Sequence, residues 1–422
     1  MIYHLKSINR EGHSLDLLYD QSIGQLMTAD REPIFEAAEV KDKAVAVSPS
    51  SPGKKSGSEV KTLKIQLGLK CNYSCTYCTQ TIHIPEAHDT NVQDVNNFLS
   101  KMDSWLTSVP DRVEFWGGEP LLYLKKLKVL IPSLREKWPN SQFLMISNGE
   151  LFNDEVVDFI IENDITVAIS HDGHGQVLRK EDPIDNPKAF AAMKRMVKER
   201  KGKFSFNAVI TDKNYDLEKH VAFFKDRFGE EVPVSFEGIV TTYNEEIIKT
   251  SRLSDQDLKN ISDEIFYALV SDLIVGSSLW ESMIQFMKYL ERPYNADSRS
   301  SKCGMDKPSY LAVDLLGNIM TCQSVGPKSR HFVGKVESID EAELRSSTHW
   351  SHRKNCTTCP VLSVCGGGCM FQEGDDFEES CRADYHQAYG IFRAAIYNLT
   401  GYVVTEISAH DKKDPNLIAI SN

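Results

Sequence analysis

The ten cysteines of this 422-residue chain fall into two blocks, and no cysteine lies outside them. The first block places three thiols within eight residues, in the order Cys71-Asn-Tyr-Ser-Cys75-Thr-Tyr-Cys78. Such spacings are typical of metal ligands, so the sequence predicts a protein built around metal clusters. The second block holds the other seven cysteines, with a Cys-x2-Cys-x5-Cys-x3-Cys run at its centre: Cys303, Cys322, Cys356, Cys359, Cys365, Cys369 and Cys381.

The overall composition is ordinary for a globular protein, with 41% hydrophobic and 26% charged residues. A net charge of -12 argues against a nucleic-acid partner, which needs many contacts to phosphate. The start of the chain lacks the pattern of a secretion signal, and no run approaches the roughly 18 apolar residues of a membrane span. We therefore expect a cytoplasmic protein with no membrane partner, in which thiols are kept reduced and available to metals.

The first two segments of the chain differ sharply in composition. Residues 1–46 predict a small β-rich element, with strands at Ile2–Ile8 and Ser14–Tyr19. Residues 47–60 are rich in Ser, Pro and Gly, which is the composition of a flexible linker. We therefore expect a domain boundary at this linker.

From residue 61 to residue 240 the pattern alternates between strand and helix six times. This alternation predicts an α/β fold, with a parallel sheet covered by helices and reactive groups at the C-terminal ends of the strands. Residues 241–301 predict a helical bridge. Residues 302–422 are loop-rich, with a predicted hairpin at Tyr310–Cys322 and a predicted helix at Arg382–Leu399.

The first cysteine block suits an iron–sulfur cluster with one open position. Its three thiolates can bind three irons of a [4Fe–4S] cube, which leaves the fourth iron for a small chelating molecule. The alternative is a zinc site, but zinc sites of this kind usually recruit a fourth Cys or His nearby, and His83 lies at an unusual spacing.

This block resembles the signature of the radical S-adenosylmethionine (SAM) superfamily, Cys-x3-Cys-x2-Cys with an aromatic residue before the last cysteine, here Tyr77. Gly117-Gly118-Glu119-Pro120 follows the second predicted strand and is similar to the GGE motif of that superfamily, whose glutamate position contacts the SAM amino group. The resemblance extends over residues 61–240 and implies a partial (β/α)6 TIM-like radical SAM barrel.

The resemblance also implies where SAM binds. Ser147-Asn148-Gly149, at the end of the third predicted strand, matches a place where relatives contact the ribose or carboxylate of SAM, and Arg179 matches an arginine near that carboxylate. Ser170-His-Asp172-Gly173, at the end of the fourth strand, resembles a Ser-x-Asp-Gly motif of the subgroup, and Asn207 on the fifth strand is a further candidate. Taken alone, each of these residues has an equally simple structural role as a turn or a cap. The residues assigned to cofactor binding in this way are Tyr77, Gly117, Gly118, Glu119, Ser147, Asn148, Ser170, Asp172, Arg179 and Asn207.

The chemistry that the resemblance implies is radical chemistry. SAM chelates the open iron, one electron from the reduced cluster breaks its C5′–S bond, and the resulting 5′-deoxyadenosyl radical abstracts hydrogen from an unactivated C–H bond. The protein supplies binding, orientation and exclusion of side reactions. A reducing partner such as flavodoxin or ferredoxin is implied as the source of the electron.

The second block is similar to the SPASM extension of radical SAM enzymes, including the Gly-x4-Cys element formed by Gly317 and Cys322. The resemblance implies a C-terminal SPASM domain with two auxiliary [4Fe–4S] clusters, and three clusters in all. The structural alternative is a pair of zinc-ribbon-like sites. Auxiliary cluster I is assigned Cys303, Cys322 and Cys369, and auxiliary cluster II is assigned Cys356, Cys359, Cys365 and Cys381.

Seven thiols leave auxiliary cluster I one ligand short. Some relatives supply an extra cysteine about where this chain has Asp297. Three hypotheses remain open for the fourth ligand: Asp297 or another oxygen or nitrogen donor, water, or a cysteine thiolate of the substrate.

SPASM enzymes with both auxiliary clusters mostly modify peptides. Our leading prediction is a maturase that installs an intramolecular cross-link, through a thioether or a C–C or C–O bond, in a ribosomally made precursor peptide with loss of two hydrogens. Residues 1–46 either add a strand to that peptide or pack on the barrel, and we favour packing. A base is not identified by the pattern, and the candidates by position are Asp172, Glu237 and Asp314.

Other chemistries remain as alternatives. Formylglycine-forming relatives carry an Asp where this chain has Gln323, which weakens that alternative. Epimerases need a spare hydrogen-donating thiol, and all ten cysteines are assigned as ligands. Oxidation of a non-peptide substrate and a non-enzymatic zinc-binding scaffold are the remaining alternatives.

Overall fold

The computed structural model places the chain in two β-sheets with helices packed against them. It describes residues 1–35, 53–80, 83–84, 88–179, 181–239, 253–291, 301–304, 306–328, 331–344 and 348–409. The strands are β1 (Ile2–Ile8), β2 (Ser14–Asp20), β3 (Gln25–Thr28), β4 (Thr62–Gln66), β5 (Arg112–Trp116), β6 (Gln142–Ser147), β7 (Ile165–Ser170), β8 (Phe204–Ile210), β9 (Val234–Ile239), β10 (Tyr310–Asp314), β11 (Asn318–Met320), β12 (Phe332–Lys335) and β13 (Val403–Ala409). The α-helices are α1 (Val92–Trp105), α2 (Leu124–Lys137), α3 (Asp154–Glu162), α4 (Pro187–Glu199), α5 (Leu217–Phe228), α6 (Asp255–Val270), α7 (Ser278–Glu291), α8 (Lys354–Thr357), α9 (Leu362–Cys365) and α10 (Gly374–Thr400).

Six parallel strands, β4 to β9, lie side by side in chain order, and α1 to α5 fall between them along the chain. Alternate residues of β4 to β8, such as Leu63 and Ile65 of β4, are buried in one apolar core with residues of these helices. The predicted α/β fold with a partial (β/α)6 barrel is confirmed.

Polar residues set the starts of the connecting helices. Asn91, Asn153, Asn186 and Asp216 each precede a helix and accept hydrogen bonds from its first amides, and Asn91 forms a capping box with Asp94. These side chains satisfy amides that have no partner within the helix. The strand-to-helix connections are therefore fixed locally, which leaves the strand ends free to carry the site.

The parallel sheet continues beyond β4 with strands from the C-terminal region. β10 pairs parallel to β4, and β11 and β12 follow it antiparallel, so that the whole sheet has nine strands. The hairpin between β10 and β11 matches the prediction, and Gly317 has a φ of 74° at its turn. Its position beside β4 was not predicted, because a short hairpin pattern does not identify its neighbour. This pairing joins the two cysteine-bearing regions in one sheet.

The second sheet has the order β13-β1-β2-β3 and belongs to the two ends of the chain. Both β1 and β2 match the predicted strands. β13 was not predicted, and it pairs with β1 from Tyr3 to Ile8. The β1 edge of the predicted hairpin is therefore already paired within the chain.

Two other segments differ from the sequence-based expectation. The helix expected at Arg382–Leu399 begins earlier, at Gly374, so Cys381 lies on it. Asp375 and Asp376 in its first turn favour this earlier start through the helix dipole. In the Ser- and Pro-rich segment, the described residues from 53 onward are packed, and the Lys55 ammonium donates to the carbonyl of Lys307 at 2.7 Å.

A second apolar core lies among α6, α7, α10 and the β1–β3 sheet. The predicted helical bridge corresponds to α6 and α7, and both pack on α10. None of the helices in the described ranges is long and apolar enough to cross a membrane.

Candidate functional site

The segment that carries the first cysteine block is held against the loop after β5. The Leu67 amide donates to the Trp116 carbonyl at 2.7 Å, which continues the β4–β5 ladder past the ends of both strands. The Gly118 amide then donates to the Gly68 carbonyl at 3.1 Å, and the Glu119 amide to the Lys70 carbonyl at 3.0 Å. The Gly-Gly-Glu motif therefore lies beside the residues that lead into Cys71.

This close approach explains the glycine at position 118. A Cβ there would lie 2.4 Å from the Lys70 carbonyl oxygen and 2.5 Å from that of Leu69. Both obstacles are backbone atoms, which do not move aside as a flexible side chain does. A side chain at Gly118 would therefore displace the chain just before Cys71.

Glu119 links the second and third strands of the barrel. Its carboxylate is buried and accepts hydrogen bonds from the Leu121 amide at 3.0 Å, the Ser147 hydroxyl at 2.8 Å and the Asn148 amide at 2.7 Å. Burial raises the pKa of Glu119, against the effect of these donors. Since a carboxylate offers about four acceptor positions, one position is left for a further donor.

Asn148 reaches the first cysteine directly. Its side-chain amide lies 2.8 Å from Oδ1 of Asn72 and 3.9 Å from Sγ of Cys71. The Tyr73 amide also donates to that sulfur, at 3.4 Å. Burial raises the pKa of the Cys71 thiol, and these two donors act against it. Hydrogen bonds to sulfur are one of the means by which a protein tunes an iron–sulfur cluster.

Tyr77, Asp172 and Arg179 form one buried group beside the same cysteine loop. The Tyr77 hydroxyl donates to Oδ2 of Asp172, and Nε of Arg179 lies 2.9 Å from the same oxygen. The other Asp172 oxygen accepts from the Val209 amide at 3.0 Å. Burial alone would lower the pKa of Arg179, but Asp172 raises it above its ordinary value. Asp172 is therefore fully engaged in holding Arg179 and Tyr77.

Arg179 also supports the second cysteine. The thiol of Cys75 lies 3.6 Å from the Arg179 carbonyl oxygen, and the Thr76 amide donates to the Leu178 carbonyl at 3.0 Å. The cysteine loop is thus attached to the ends of the third and fourth strands as well as to the second. The residues assigned to SAM from the sequence, including Ser170 and Asn207, which are neighbours in the β7–β8 register, lie at one end of the barrel.

Glu237 lies farther along this row of strand ends. Asn207 donates to its Oε1 at 2.8 Å, across the β8–β9 pair. Glu237 is accessible to solvent, yet desolvation by the surrounding protein raises its pKa, which the ammonium groups of Lys302 and Lys64 partly oppose. This is the environment of a side chain that lines a concave space between the barrel and the C-terminal region.

Other residues that line this space were missed by the sequence analysis. The Lys64 ammonium lies 3.3 Å from the Glu114 carboxylate, 5.6 Å from the centre of the Trp116 ring and 5.7 Å from that of Tyr310. The available signal was the alternation in β4 and β5, where polar residues occupy the positions between fully buried ones. Such a pattern places polar side chains inside a barrel, but it does not indicate which of them face the site.

The third candidate base has a different environment. Oδ1 of Asp314 accepts from the amides of Leu316 and Asn318, each at 2.9 Å, and its Oδ2 accepts from the Asn318 side chain. These bonds close the β10–β11 turn. Asp314 is therefore a structural residue.

Four thiols of the second block gather around one pocket. Cys356, Cys359, Cys365 and Cys381 line it together with apolar side chains such as Phe377 and with the carboxylate of Asp384. Burial and the neighbouring thiolates raise the pKa of Cys356 and of Cys365, each to about 12. Gly366, Gly367 and Gly368, which follow α9, all have positive φ. Four thiols around one pocket are the donor set of a four-cysteine cluster.

The remaining three thiols of the second block also interact with one another. Burial raises the pKa of Cys322 to about 11, and the thiolates of Cys303 and Cys369 add to this effect. Lys302 interacts with Cys369 of this set and Cys365 of the other, so it lies between them. Asp297, one candidate for the missing ligand, lies outside the described residues.

No group of three or more His, Cys, Asp or Glu side chains in the described ranges is arranged to hold a single metal ion. The thiolates interact electrostatically within three sets, which are Cys71, Cys75 and Cys78; Cys303, Cys322 and Cys369; and Cys356, Cys359, Cys365 and Cys381.

Comparison with known proteins agrees with this geometry. Residues 65–224 match the family described as Radical SAM superfamily. The chain is 23% identical over 341 residues to the radical SAM cyclopropyl synthase TigE of Paramaledivibacter caminithermalis, covering 74% of this chain and 68% of that protein. It is 24% identical over 356 residues to the cysteine-type anaerobic sulfatase-maturating enzyme of Clostridium perfringens, covering 76% of this chain and 92% of that enzyme.

Solved structures give the same result for the fold. The structure of native anSMEcpe with bound AdoMet superposes with a TM-score of 0.57 at 20% identity, covering 80% of this chain and 98% of that chain. At this identity the likeness establishes the fold alone. Residues 65–224, which carry the Cys71–Cys78 block, therefore form a domain of the radical SAM superfamily, and the cysteine-rich C-terminal region that follows is similar to the SPASM type.

Proposed function

We propose that this enzyme is a peptide maturase that joins two positions of a ribosomally made precursor peptide with loss of two hydrogens. The observation that carries the proposal is the second block, whose seven thiols form one set of four around a pocket and one set of three, with Lys302, between the two sets, also acting on Glu237 of the barrel. The names of known relatives support it: one is a cyclopropyl synthase, and another is a sulfatase-maturating enzyme whose structure was also solved with a bound peptide. A cyclopropyl product contains a new C–C bond, so among the possible cross-links we favour a C–C bond.

The first cysteine block and its neighbours fit the cofactors of the superfamily. Cys71, Cys75 and Cys78 would hold a [4Fe–4S] cluster, and the remaining acceptor position of Glu119 would take the amino group of SAM. Ser147, Asn148, Ser170, Arg179 and Asn207 are the further SAM-binding candidates. When bound, these cofactors supply the one-electron chemistry that removes a hydrogen atom from an unactivated C–H bond.

The two sets of thiols in the second block would hold auxiliary clusters. Cys356, Cys359, Cys365 and Cys381 supply four ligands, and Cys303, Cys322 and Cys369 supply three, with Asp297, water or a substrate thiolate as the fourth. We propose both as [4Fe–4S] clusters. Their role would be to accept an electron from the substrate, because joining two atoms with loss of two hydrogens releases one hydrogen atom, one proton and one electron.

The proton needs a base, and Glu237 is the best candidate. Asp172 is buried and engaged by Arg179, Tyr77 and the Val209 amide, and Asp314 closes a turn. Glu237 is accessible to solvent and lies beside the SAM-binding candidate Asn207. Its raised pKa also brings it closer to neutral pH, where a general base works best.

Mass spectrometry of co-expressed peptides tests the proposal. Short peptides encoded beside the gene are expected to lose two hydrogens when produced anaerobically with the enzyme, and to keep their mass when Cys71, Cys75 and Cys78 are replaced by Ala. A peptide of unchanged mass that has inverted a residue would instead indicate epimerisation, and a gain of an aldehyde would indicate formylglycine. Turnover of SAM with every peptide unchanged would indicate a non-peptide substrate and contradict the proposal.

We also propose where a reductant such as flavodoxin or ferredoxin docks. An open pocket lies on the outer side of the cysteine loop, between the starts of α1 and α2, and Lys70, next to Cys71, lines it with Lys125, Lys126 and Lys128. Among the described residues, only two acidic side chains line the same pocket: Asp89, which pairs with Lys70, and Glu155, which pairs with Lys128. A locally basic surface on a chain of net charge -12 favours an acidic partner at this place.

Reversing two of these charges tests the docking surface. The double variant Lys125→Glu/Lys128→Glu is expected to slow reduction by an acidic protein donor about tenfold at low salt, because steering of the encounter is lost. Reduction by dithionite should be unchanged. Lys194→Glu/Lys198→Glu, on the exposed side of α4, makes the same change in net charge and should leave both rates as they are. Equal slowing in the two double variants would contradict a specific surface.

A further inference from the structure

Two buried tyrosines of the N-terminal sheet face the second cysteine block. Tyr3 on β1 and Tyr19 on β2 are directly paired across the strands, and their ring centres are 6.5 Å apart. Their exposed fractions are 1% and 0%. Buried phenol hydroxyls usually need a hydrogen-bond partner, so the partners of these two indicate what the sheet holds.

Both phenols bond to the loops between cysteines. The Tyr3 hydroxyl donates to the carbonyl of Thr358, which lies between Cys356 and Cys359. The Tyr19 hydroxyl donates to the hydroxyl of Ser363 at 3.0 Å, and Ser363 lies between Cys359 and Cys365. Each of the two short loops is thus attached to the sheet at one point.

Apolar packing strengthens this attachment. Val361 is fully buried in the same apolar core as Leu5 and Leu17 of the sheet, and Cys359 and Cys365 pack at the edge of that core. Cys381 lies on α10, and Phe392 of the same helix packs edge-to-face on Tyr19, with ring centres 5.4 Å apart. The loops that carry Cys356, Cys359 and Cys365 therefore contact the sheet directly, and Cys381 is linked to it through its helix.

We infer that the N-terminal sheet is a structural part of the cluster II site, in which Tyr3 and Tyr19 fix the two cysteine loops and close that side of the site to water and oxygen. The inference rests on the proposed auxiliary cluster. It assigns these tyrosines as positioning residues, which act through Thr358 and Ser363. The groups around an iron–sulfur site control its access to solvent and its stability, so a defect should appear in the metal content itself.

The iron content of a simplified protein tests this inference. In the Cys71→Ala/Cys75→Ala/Cys78→Ala background, two auxiliary [4Fe–4S] clusters amount to about eight irons per chain. Adding Tyr3→Ala/Tyr19→Ala to this background is expected to lower the iron content after anaerobic reconstitution to about four irons per chain. The milder variant Tyr3→Phe/Tyr19→Phe keeps both rings and removes only the hydroxyls. It is expected to bind the full amount of iron, but to lose half of that iron in air several-fold faster than the background protein.

Leu18→Ala is the matched control, because Leu18 is a buried residue of β2 that does not belong to the apolar core containing Val361. It should keep about eight irons and lose them at the rate of the background protein. Equal iron loss in Leu18→Ala and Tyr3→Ala/Tyr19→Ala, or full iron and unchanged air stability in both tyrosine variants, would overturn the inference. A background protein that itself binds no more than about four irons would instead overturn the proposed pair of auxiliary clusters.

Discussion

Replacing Glu237 with Gln is expected to lower the rate of peptide modification by about 10²- to 10⁴-fold, which is the usual contribution of a general base. Gln has the same shape and can still accept the hydrogen bond from Asn207 through its oxygen. The variant removes the ability to take a proton and little else. Cleavage of SAM should continue, because no proton needs to be taken from the peptide for that step.

The raised pKa of Glu237 leads to two further expectations, one for the pH dependence of the rate and one for the stability of the variant. A base works only when ionised, so the rate of modification should fall as the pH drops through that raised pKa, at a higher pH than for an ordinary carboxyl. Because the pKa of this carboxyl is raised in the folded state, the wild type loses stability as the pH rises from the ordinary carboxyl pKa through the raised pKa. Glu237→Gln should therefore be at least as stable as the wild type at neutral pH, although its activity is low.

The measurement compares two products of the same reaction under anaerobic conditions. Modified peptide and 5′-deoxyadenosine are quantified over time in the wild type and in Glu237→Gln. Glu231→Gln, an exposed residue that precedes β9, makes the same change in net charge and serves as the control. Modification at the wild-type rate in Glu237→Gln would rule out this residue as the base.

The sequence was most informative where local chemistry determines structure. The six strands of the barrel follow from alternating patterns whose helices start at polar caps such as Asn91 and Asp216. Gly118 was identified by its motif, and the close approach of the Lys70 carbonyl supplies the physical reason. In the same way, the β10–β11 turn was identified from Gly317 because a positive φ favours glycine.

The sequence was least informative about contacts between distant segments. Nothing in β13 indicates that it pairs with β1, and nothing in β10 indicates that it extends the barrel sheet at β4. Lys64 and Lys302 likewise gain their importance only from the tertiary structure, which brings their ammonium groups close enough to Glu237 to lower its pKa. The sequence offered no reason to prefer one of the candidate bases Asp172, Glu237 and Asp314. Their hydrogen-bond partners in the structure distinguish them.

Replacing Arg179 with Met is the second change expected to have a large effect, in this case on stability. The Asp172 carboxylate is fully buried, and the Arg179 side chain that pairs with it is only 11% exposed. Removing the cation leaves a buried charge without its partner, which usually costs about 3–5 kcal/mol of unfolding free energy. The bonds from Tyr77 and from the Val209 amide remain, but neither supplies a positive charge.

The double variant Asp172→Asn/Arg179→Met separates the loss of the ion pair from the loss of packing. With no buried charge left, it should recover most of the stability that Arg179→Met loses, although it also lacks the ion pair. Urea unfolding of the cluster-free proteins gives the three free energies. Arg195→Met, which removes a partly exposed arginine paired with Asp158 from α4, serves as the control, and about 0–1 kcal/mol is expected for it. If Arg179→Met and the double variant are equally unstable, the packing of Arg179 against Tyr77 and the Cys75 loop, and not the charge of Asp172, makes this arginine necessary for the site.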